Sequence, residues 1–373
     1  MKGARFMKKQ NFLARVLVFS LALLLFGGGF WLLLAPSPAF SEAENRNLAK
    51  FPTFNFGTLS RGEFAKELSL YAAERFPLRH ALRNGYALSE LCLGKQEIGD
   101  VILCRDGSLV RRHPVDMATY QKNLTAANAL TSAAAASGKP TLFLPIPRRI
   151  DVANDILPSL YPRDESDALY DALTTLTNAS DLRQLSPALW YRTDHHLNAD
   201  GAWQMYLSIC DSLSLAPYPP DFFKKEKVSE EFLGTTAKAA GLPTVTPDSI
   251  TLLRYEGDEA LTVTRDDNAA TFVGCYDQEK LQTADRYAVY FGGNCGVLEI
   301  SRGKTDNRPV LLVVRDSFAS AVLPLLALHY RIRAIDPRYT DIDLNEEVQT
   351  ADAVLLLCGI STLSGGTFLR VNK

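Results

Sequence analysis

The chain has 373 residues, of which 47% are hydrophobic and 22% are charged, and its formal net charge at neutral pH is −2. This length provides one large α/β domain or two smaller ones, with an ample core. A charge so close to zero argues against nucleic acid as a partner, because phosphate binding requires a basic surface. Composition therefore indicates an ordinary globular protein. Its function has to be inferred from local sequence patterns.

The first 35 residues combine a basic tail with an apolar run. Residues 1–15 carry five basic side chains and no acidic one, and Val16–Ala35 is uncharged and long enough to cross a bilayer. Basic residues before a span place the N-terminus in the cytoplasm and the rest of the chain outside. Small residues at Ser37–Ala39 also fit a signal peptidase site. We expect a single-pass anchor in the cell membrane, with a cleaved signal sequence as the alternative.

After the anchor, residues 36–59 have the composition of an extended linker, and residues 60–373 are predicted to form the extracytoplasmic domain. Hydrophobic periodicity predicts two helices, a hairpin that turns at Asp106-Gly107, a long helix and a buried strand. In order, they are Arg61–Arg75, Leu78–Leu93, Glu97–Arg111, Met117–Ser137 and Pro140–Pro147. Helices alternating with buried strands predict a largely parallel α/β sheet with helices on both faces.

An arginine pair, Arg148-Arg149, follows the buried strand Pro140–Pro147. Open α/β sheets bind ligands at the carboxyl ends of their strands, and arginine suits carboxylates and phosphates. Arg148 is therefore a candidate for binding an anionic part of a substrate. A solvated loop is the alternative.

Adjacent histidines follow an aspartate at Asp194-His195-His196, just before a helix that begins near Asn198. Residues two apart project to the same side of an extended segment, so Asp194 can orient His196 as a base. His195 points the other way and is expected to pack in the interior or to contact substrate. A metal site or a polar helix cap are the alternatives. Since no other cluster of His, Cys or Asp has the spacing of metal ligands, we predict no metal and no cofactor.

Residues 217–300 are predicted to be an insertion. Residues 217–246 resemble a surface loop that could form one wall of a cleft or bind a partner. Four short strands are predicted after it, in a small β-rich subdomain where Cys275 and Cys295 could form a disulfide. They are Ile250–Tyr255, Leu261–Thr264, Thr271–Cys275 and Tyr287–Phe291.

The buried strand Leu311–Val314 leads through Arg315-Asp316 to Ser317 and a predicted helix, Phe318–Tyr330, that Pro324 should kink. Ser317 would lie at the carboxyl end of the strand and cap the helix, beside backbone N–H groups that suit an oxyanion. Ser317 is thus a candidate nucleophile, with His196 as its base. Its alternative role is an ordinary N-cap.

Past the predicted strand Arg331–Ile335, Arg338 and Tyr339 are expected to border the same edge of the sheet. Either side chain could bind substrate hydroxyls or stabilise an oxyanion, together with the backbone of Phe318. An ion pair between Asp336 and Arg338 is the structural alternative.

Six ordered segments of the sequence resemble those of the DHHW proteins, relatives of the alginate O-acetylation proteins in the SGNH-hydrolase-like group. They are Glu44–Pro52, Glu74–Arg79, Tyr191–His196, Phe291–Asn294, Arg315–Ala319 and Ile335–Tyr339. One departure is Leu197, which replaces the tryptophan of the family motif. If that aromatic forms the floor of a sugar pocket, substrate contacts in this chain differ from those of the family.

The resemblance implies an SGNH-hydrolase-like, flavodoxin-like three-layer domain whose Ser317, His196 and Asp194 act on acyl esters of carbohydrate. An acyl-serine intermediate would pass its acetyl group to a polysaccharide of the envelope or secreted matrix, as in an O-acetyltransferase, or to water, as in an esterase. A multipass membrane acyltransferase is the expected partner for acetyl supply. The alternative is a non-catalytic, membrane-tethered glycan-binding or assembly protein on the same fold.

Overall fold

A computed structural model describes residues 2–34, 39–41, 46–76, 78–162, 166–176, 178–242 and 244–369. The chain divides into two units, residues 1–93 and residues 94–373. The sequence predicts a single domain from residue 60 onward, whereas the helices between residues 60 and 93 belong to the first unit.

The first unit begins with helix α1, Lys2–Leu34. Its stretch Ala14–Trp31 is long and apolar enough to cross a membrane, which fits an anchor and a signal sequence equally. Ser37, in the predicted cleavage segment, lies outside the described residues. Two short strands and three helices follow: β1 Phe40–Ser41, β2 Arg46–Asn47, α2 Phe56–Ser60, α3 Glu63–Glu74 and α4 Arg79–Cys92.

The second unit contains a central seven-stranded sheet, a three-stranded sheet and a two-stranded ribbon. Its strands are β3 Glu97–Ile98, β4 Val101–Leu103, β5 Leu109–Arg111, β6 Thr141–Ile146, β7 Lys224–Phe232, β8 Asp248–Arg254, β9 Thr262–Arg265, β10 Asn268–Val273, β11 Val297–Ser301, β12 Val310–Arg315, β13 Arg331–Ile335 and β14 Ala353–Gly359. Its helices are α5 Met117–Ala136, α6 Arg149–Val152, α7 Asp167–Thr174, α8 Ala199–Ser212, α9 Thr235–Ala240, α10 Leu323–Leu326, α11 Leu344–Thr350 and α12 Ile360–Gly365.

The central sheet has the order β10-β9-β11-β13-β12-β14-β6. Strands β13, β12, β14 and β6 pair in parallel, whereas β10, β9 and β11 join antiparallel. The prediction of a mostly parallel sheet is therefore wrong for one side of it. Short connections such as those around β9 and β10 allow antiparallel pairing, because a parallel pair requires a long crossover.

Strand β12 lies among the parallel strands and is apolar on both faces. Leu311 and Val313 pack in a core with residues of α8 and α10, and Leu312 and Val314 pack in a second core. Residues of α5, α7, α11 and α12 line that second core. Helices therefore cover both faces of the sheet, as predicted.

The predicted insertion at residues 217–300 is not one subdomain. Strands β7 and β8 form a separate antiparallel ribbon, while β9, β10 and β11 extend the central sheet. The predicted strand Tyr287–Phe291 is instead a 3-10 turn at Arg286–Val289. Cys275 and Cys295 are free thiols, so the predicted disulfide is absent here.

The helix predicted at Phe318–Tyr330 is broken. A 3-10 turn covers Ser317–Ala319, and the short helix α10 has Pro324 in its first turn. Proline is compatible with a first helical turn because N–H groups there lack an intrahelical acceptor. Pro324 therefore lies at the start of a helix and does not kink a longer one.

Candidate active site

Ser317 lies in the turn that leaves the carboxyl end of β12. Asp316, and not Ser317, caps this turn: its Oδ1 accepts from the N–H of Phe318 at 2.9 Å. Its Oδ2 accepts from the N–H of Gly359 at 2.8 Å and from the hydroxyl of Thr362 at 2.6 Å. Asp316 thus ties the turn to the end of β14, and the hydroxyl of Ser317 is not used for capping.

The same contacts correct the predicted oxyanion site. The N–H of Phe318 already donates to Asp316. The N–H of Ser317 has no such bond to this carboxylate, so it is the backbone donor that remains for an oxyanion. The ring of Phe318 is buried and packs against Gly359, where a Cβ atom would lie 2.6 Å from the ring. Phe318 therefore shapes the site through packing.

The structure brings Ser317, His196 and Asp194 together. Nε2 of His196 lies 2.8 Å from Oγ of Ser317, and its Nδ1 lies 2.5 Å from Oδ1 of Asp194. A carboxylate accepts the Nδ1 proton, which leaves Nε2 as a proton acceptor facing the serine. These are the contacts that a serine nucleophile, its base and an orienting carboxylate require. Their catalytic role stays a prediction.

Asp194 is almost completely buried and accepts hydrogen bonds at both oxygens. Oδ1 also accepts from the N–H of His196 at 2.9 Å, and Oδ2 accepts from the N–H and hydroxyl of Thr235 at 2.6 and 2.9 Å. Burial by itself would raise the pKa of this carboxyl group, but His195, His196 and these donors hold its pKa below the usual range. Asp194 is therefore a fixed anion.

The β7–β8 ribbon supports this segment from behind. Asp248, at the start of β8, accepts from the N–H groups of Arg192 and Thr193 at 2.9 and 2.8 Å and from the Thr193 hydroxyl at 2.6 Å. Thr235 follows β7 in the chain. Thr235, in the segment predicted to be a surface loop, therefore holds Asp194 in place, and Asp248 holds the two residues before it. The largely polar stretch 224–232 shows no alternation and gives no signal of this contact.

Gly234 is needed for this contact, because a Cβ atom there would overlap the Asp194 side chain. We expect Gly234→Ala to displace Asp194 or the β7–α9 turn, to lower the stability by about 1–3 kcal/mol and to reduce any activity of Ser317. The measurement is urea unfolding alongside ester turnover. Gly85→Ala is the control, since a methyl group there meets open space within α4. Unchanged stability and turnover in Gly234→Ala would contradict the role assigned to this glycine.

Tyr287 stacks on His196, with ring centroids 3.8 Å apart and planes within 9°. Its hydroxyl donates to the carbonyl of Ser317 at 3.4 Å. The stack restricts rotation of the imidazole. The sequence placed Tyr287 in a strand and offered no signal for this contact.

A shallow cleft opens beside these residues. Its lining comprises Leu109, Val110, Arg111, His113, Arg148, Arg149, Asp194, His195, Thr236, Phe318 and Ser361. His195 is half-buried there, and its Nδ1 lies 2.8 Å from the hydroxyl of Thr235. Burial lowers the pKa of His113 to about 4, with Arg111 contributing in the same direction, so His113 is neutral at pH 7.

Arg148 and Arg149 border the cleft, but neither lies in a solvated loop as the alternative prediction had it. Arg148 pairs through two hydrogen bonds with buried Asp151. Nη1 of Arg149 donates to the backbone carbonyls of Leu109 and Tyr191 at 3.0 and 2.9 Å. Arg149 thereby ties β5 to the segment that precedes Asp194.

Arg338 and Tyr339 do not line the cleft. Arg338 pairs with fully buried Asp336 at 2.9 and 2.7 Å, which matches the structural alternative. Tyr339 is 56% exposed, with the guanidinium of Arg338 near its ring. Substrate binding by either residue stays a prediction for the rim of the site.

Leu197 lies in the core and is 1% exposed. It packs against Gly201, where a Cβ atom would lie 2.9 Å from that of Leu197. The expectation that this position forms the floor of a sugar pocket is wrong for this chain. The departure from the family motif therefore changes core packing and not the surface of the cleft.

Asp194, His195 and His196 also have donor atoms within 4.8 Å of one another, a spacing that could hold a metal ion. However, both oxygens of Asp194 and both ring nitrogens of His196 already have protein partners. A metal would have to displace Ser317 or one of these donors.

Comparison with known proteins identifies the relatives of this fold. Residues 183–333 match the DHHW protein family. A DHHW family protein from Eubacterium siraeum is 19% identical and has a TM-score of 0.53, over 71% of this chain and 92% of that one. No curated protein is similar enough in sequence to count as a match.

Bacillus cereus PatB1 shares the fold as well. It is 17% identical, with a TM-score of 0.59, over 72% of this chain and 98% of its own. Its structure with a sulfonyl adduct gives the same identity and coverage and a TM-score of 0.58. At these identities, the similarity concerns the fold and does not assign an activity.

Proposed function

We propose that this chain, whose residues 183–333 match the DHHW protein family, transfers acyl groups, acetyl above all, from an ester donor to hydroxyl groups of a polysaccharide. The observation that carries this proposal is the continuous contact from Asp194 through His196 to Ser317, at 2.5 and 2.8 Å. A polarised serine beside a shallow, open cleft suits acyl transfer to or from a large molecule.

In the proposed reaction, Nε2 of His196 takes the Ser317 proton while Oγ attacks the carbonyl carbon of the ester. The N–H of Ser317 stabilises the tetrahedral oxyanion. Collapse of this intermediate breaks the bond to the leaving alcohol, which receives the proton from His196. A second hydroxyl then gives its proton to His196 and attacks the acyl-serine. Collapse of that intermediate breaks the bond to Oγ of Ser317, which takes the proton back from His196 and is regenerated.

The acceptor in the second step separates two activities. A polysaccharide hydroxyl makes the protein an O-acetyltransferase, and water makes it an esterase. We favour transfer, in agreement with the resemblance to alginate O-acetylation proteins.

The test uses the full chain in detergent micelles with a chromogenic acetate ester and, separately, a sulfonyl fluoride. Sulfonyl reagents form stable esters with activated serine hydroxyls, and a sulfonyl adduct occurs in Bacillus cereus PatB1. We expect ester turnover and one adduct, mapped by peptide mass to the segment containing Ser317. Adding an oligosaccharide should divert acetyl from water to sugar. An adduct confined to other serines, or none with folded protein, would overturn the proposal.

We further propose that α1 anchors the protein in the cell membrane and that residues 94–373 act on the extracytoplasmic side. The observations in support are the apolar stretch Ala14–Trp31 and the basic residues before it. A multipass membrane acyltransferase would supply acetyl. The two proteins should co-purify in mild detergent, and a protein without α1 should not retain its partner. Cytoplasmic exposure of residues 94–373 in a protease-protection assay would contradict this arrangement.

A further inference from the structure

The hydroxyl of Thr235 lies between Asp194 and His195, and it has one proton to donate. That proton goes to Oδ2 of Asp194 at 2.9 Å, so towards His195 the Thr235 oxygen can only accept. The contact at 2.8 Å therefore requires a proton on Nδ1 of His195. In the neutral ring, Nε2 then carries a lone pair.

The two histidines have the same orientation relative to Asp194. Nδ1 of His196 lies 2.5 Å from Oδ1 of Asp194, and Nδ1 of His195 lies 3.6 Å from the same atom. The rings overlap, with centroids 3.8 Å apart and a tilt of 38°. Because the rings overlap with centroids 3.8 Å apart, the two Nε2 atoms lie within reach of one small bound molecule.

The environment keeps His195 neutral. Burial, followed by the neighbouring His196, lowers the pKa of His195 to about 3, although Asp194 opposes this shift. The His195 side chain is 35% exposed and lines the cleft next to the nucleophile. Among the described residues, no hydrogen bond to its Nε2 is found, so this acceptor is available to a bound molecule.

We propose that Thr235 and His195 select acyl acceptors with two neighbouring hydroxyl groups. Nε2 of His196 takes the proton of the attacking hydroxyl, and Nε2 of His195 accepts the proton of the hydroxyl on the next carbon as a hydrogen bond. Each hydroxyl has one proton, so one group cannot serve both histidines. Adjacent imidazole edges fit adjacent hydroxyls, as sugars and polyols present them.

In this arrangement, Thr235 is a positioning residue that acts through Asp194 and His195, and His195 is the specificity residue. Without the Thr235 hydroxyl, Nδ1 of His195 loses its acceptor and the ring can carry its proton on Nε2. An Nε2–H group cannot accept the hydroxyl proton and can only donate to the hydroxyl oxygen. The inference rests on the proposed acyl transfer for its kinetic part, whereas the tautomer can be measured without any reaction.

The kinetic test compares cyclohexane-1,2-diol with cyclohexane-1,4-diol as acceptors for acetyl from a chromogenic ester, using the full chain in detergent micelles. Both diols offer two hydroxyls, but only the first has them on neighbouring carbons. We expect the wild type to favour the 1,2-diol in kcat/KM by about tenfold, the size of one good hydrogen bond. Thr235→Val should lose this preference and Thr235→Ser should keep it. Equal preference in wild type and Thr235→Val overturns the proposal.

A second readout is the ¹⁵N chemical shift of His195, assigned through a His195→Gln variant, which shows the tautomer directly. We expect the Nδ1–H form in wild type and Thr235→Ser, with a shift towards Nε2–H in Thr235→Val. Titration with the 1,2-diol, but not the 1,4-diol, should move the Nε2 signal. An Nε2–H tautomer in wild type, or no response to the 1,2-diol, overturns the inference. Absence of acetyl transfer with the expected tautomer and response would overturn only the proposed function.

Discussion

Ser317→Ala is expected to lower ester turnover by at least about a thousandfold and to abolish the acyl and sulfonyl adducts, with the fold intact. The reason is that the hydroxyl of Ser317 is half-buried, is not needed for capping and contacts only the base among the side chains that surround it. Asp316 holds the turn through three donors that the substitution leaves in place. The measurements are steady-state turnover and intact mass after exposure to the sulfonyl fluoride.

Ser320→Ala is the matched control. Ser320 is a buried serine three residues further along the same turn, so the two variants remove the same atom from the same local structure. We expect near wild-type turnover and an unchanged adduct in Ser320→Ala. If Ser317→Ala kept turnover and formed the adduct, the nucleophile would lie elsewhere and the proposed function would fail.

Asp194→Asn is expected to reduce turnover by about 10³–10⁴-fold, as in enzymes whose base loses its orienting carboxylate. Each oxygen of Asp194 accepts two hydrogen bonds, from His196 at Oδ1 and from Thr235 at Oδ2. In either orientation of an asparagine amide, its NH2 group faces a donor. An NH2 group that faces His196 would favour the imidazole tautomer with its proton on Nε2. That nitrogen must be unprotonated to accept the proton of Ser317.

The measurements for Asp194→Asn are kcat and the midpoint of urea unfolding, with Asp181→Asn as control. Asp181 is a partly exposed carboxylate that pairs with Arg183, and we expect little change from its replacement. Asp194→Asn should also lower stability, since the amide leaves a buried donor unpaired. Wild-type turnover in Asp194→Asn would show that His196 does not depend on this carboxylate.

The absence of the motif tryptophan at Leu197 gave some weight to the alternative function, a non-catalytic glycan-binding or assembly protein. With Leu197 in the core, the substitution has no direct effect on the cleft. The ester-turnover test of Ser317 still separates the two functions, since a binding protein would be insensitive to Ser317→Ala.

Local patterns predicted the elements that position the site. The apolar run Leu311–Val314 indicated β12, and the spacing of Asp194 and His196 indicated two side chains on one side of the chain. The same reasoning failed just after β12. A helix was predicted from the Leu and Ala periodicity at residues 318–330, but nearly all of this segment is buried and most of it is apolar, so the period conveys little.

The residues that hold Asp194, His196 and the segment just before them could not be predicted in the same way. Thr235, Asp248 and Tyr287 are separated from Asp194 by 41, 54 and 93 positions in the sequence, and nothing in their own segments points to it. The need for glycine at position 234 could not be predicted either. Its backbone is extended, a conformation open to any residue, and the need comes from the close approach of Asp194.

The sequence by itself determined the apolar N-terminal segment, the helix-covered sheet and the candidate residues Ser317, His196 and Asp194. Each depends on hydrophobic periodicity or on spacing within one segment, which are local properties. Only the tertiary structure decided that Asp316 caps the turn, that Leu197 belongs to the core and that Asp248 of the β7–β8 ribbon holds the segment just before Asp194. Those outcomes depend on which distant donors and side chains contact a residue. Hydrogen bonds and packing between distant segments do not produce a periodic pattern in the sequence, so they cannot be predicted from it.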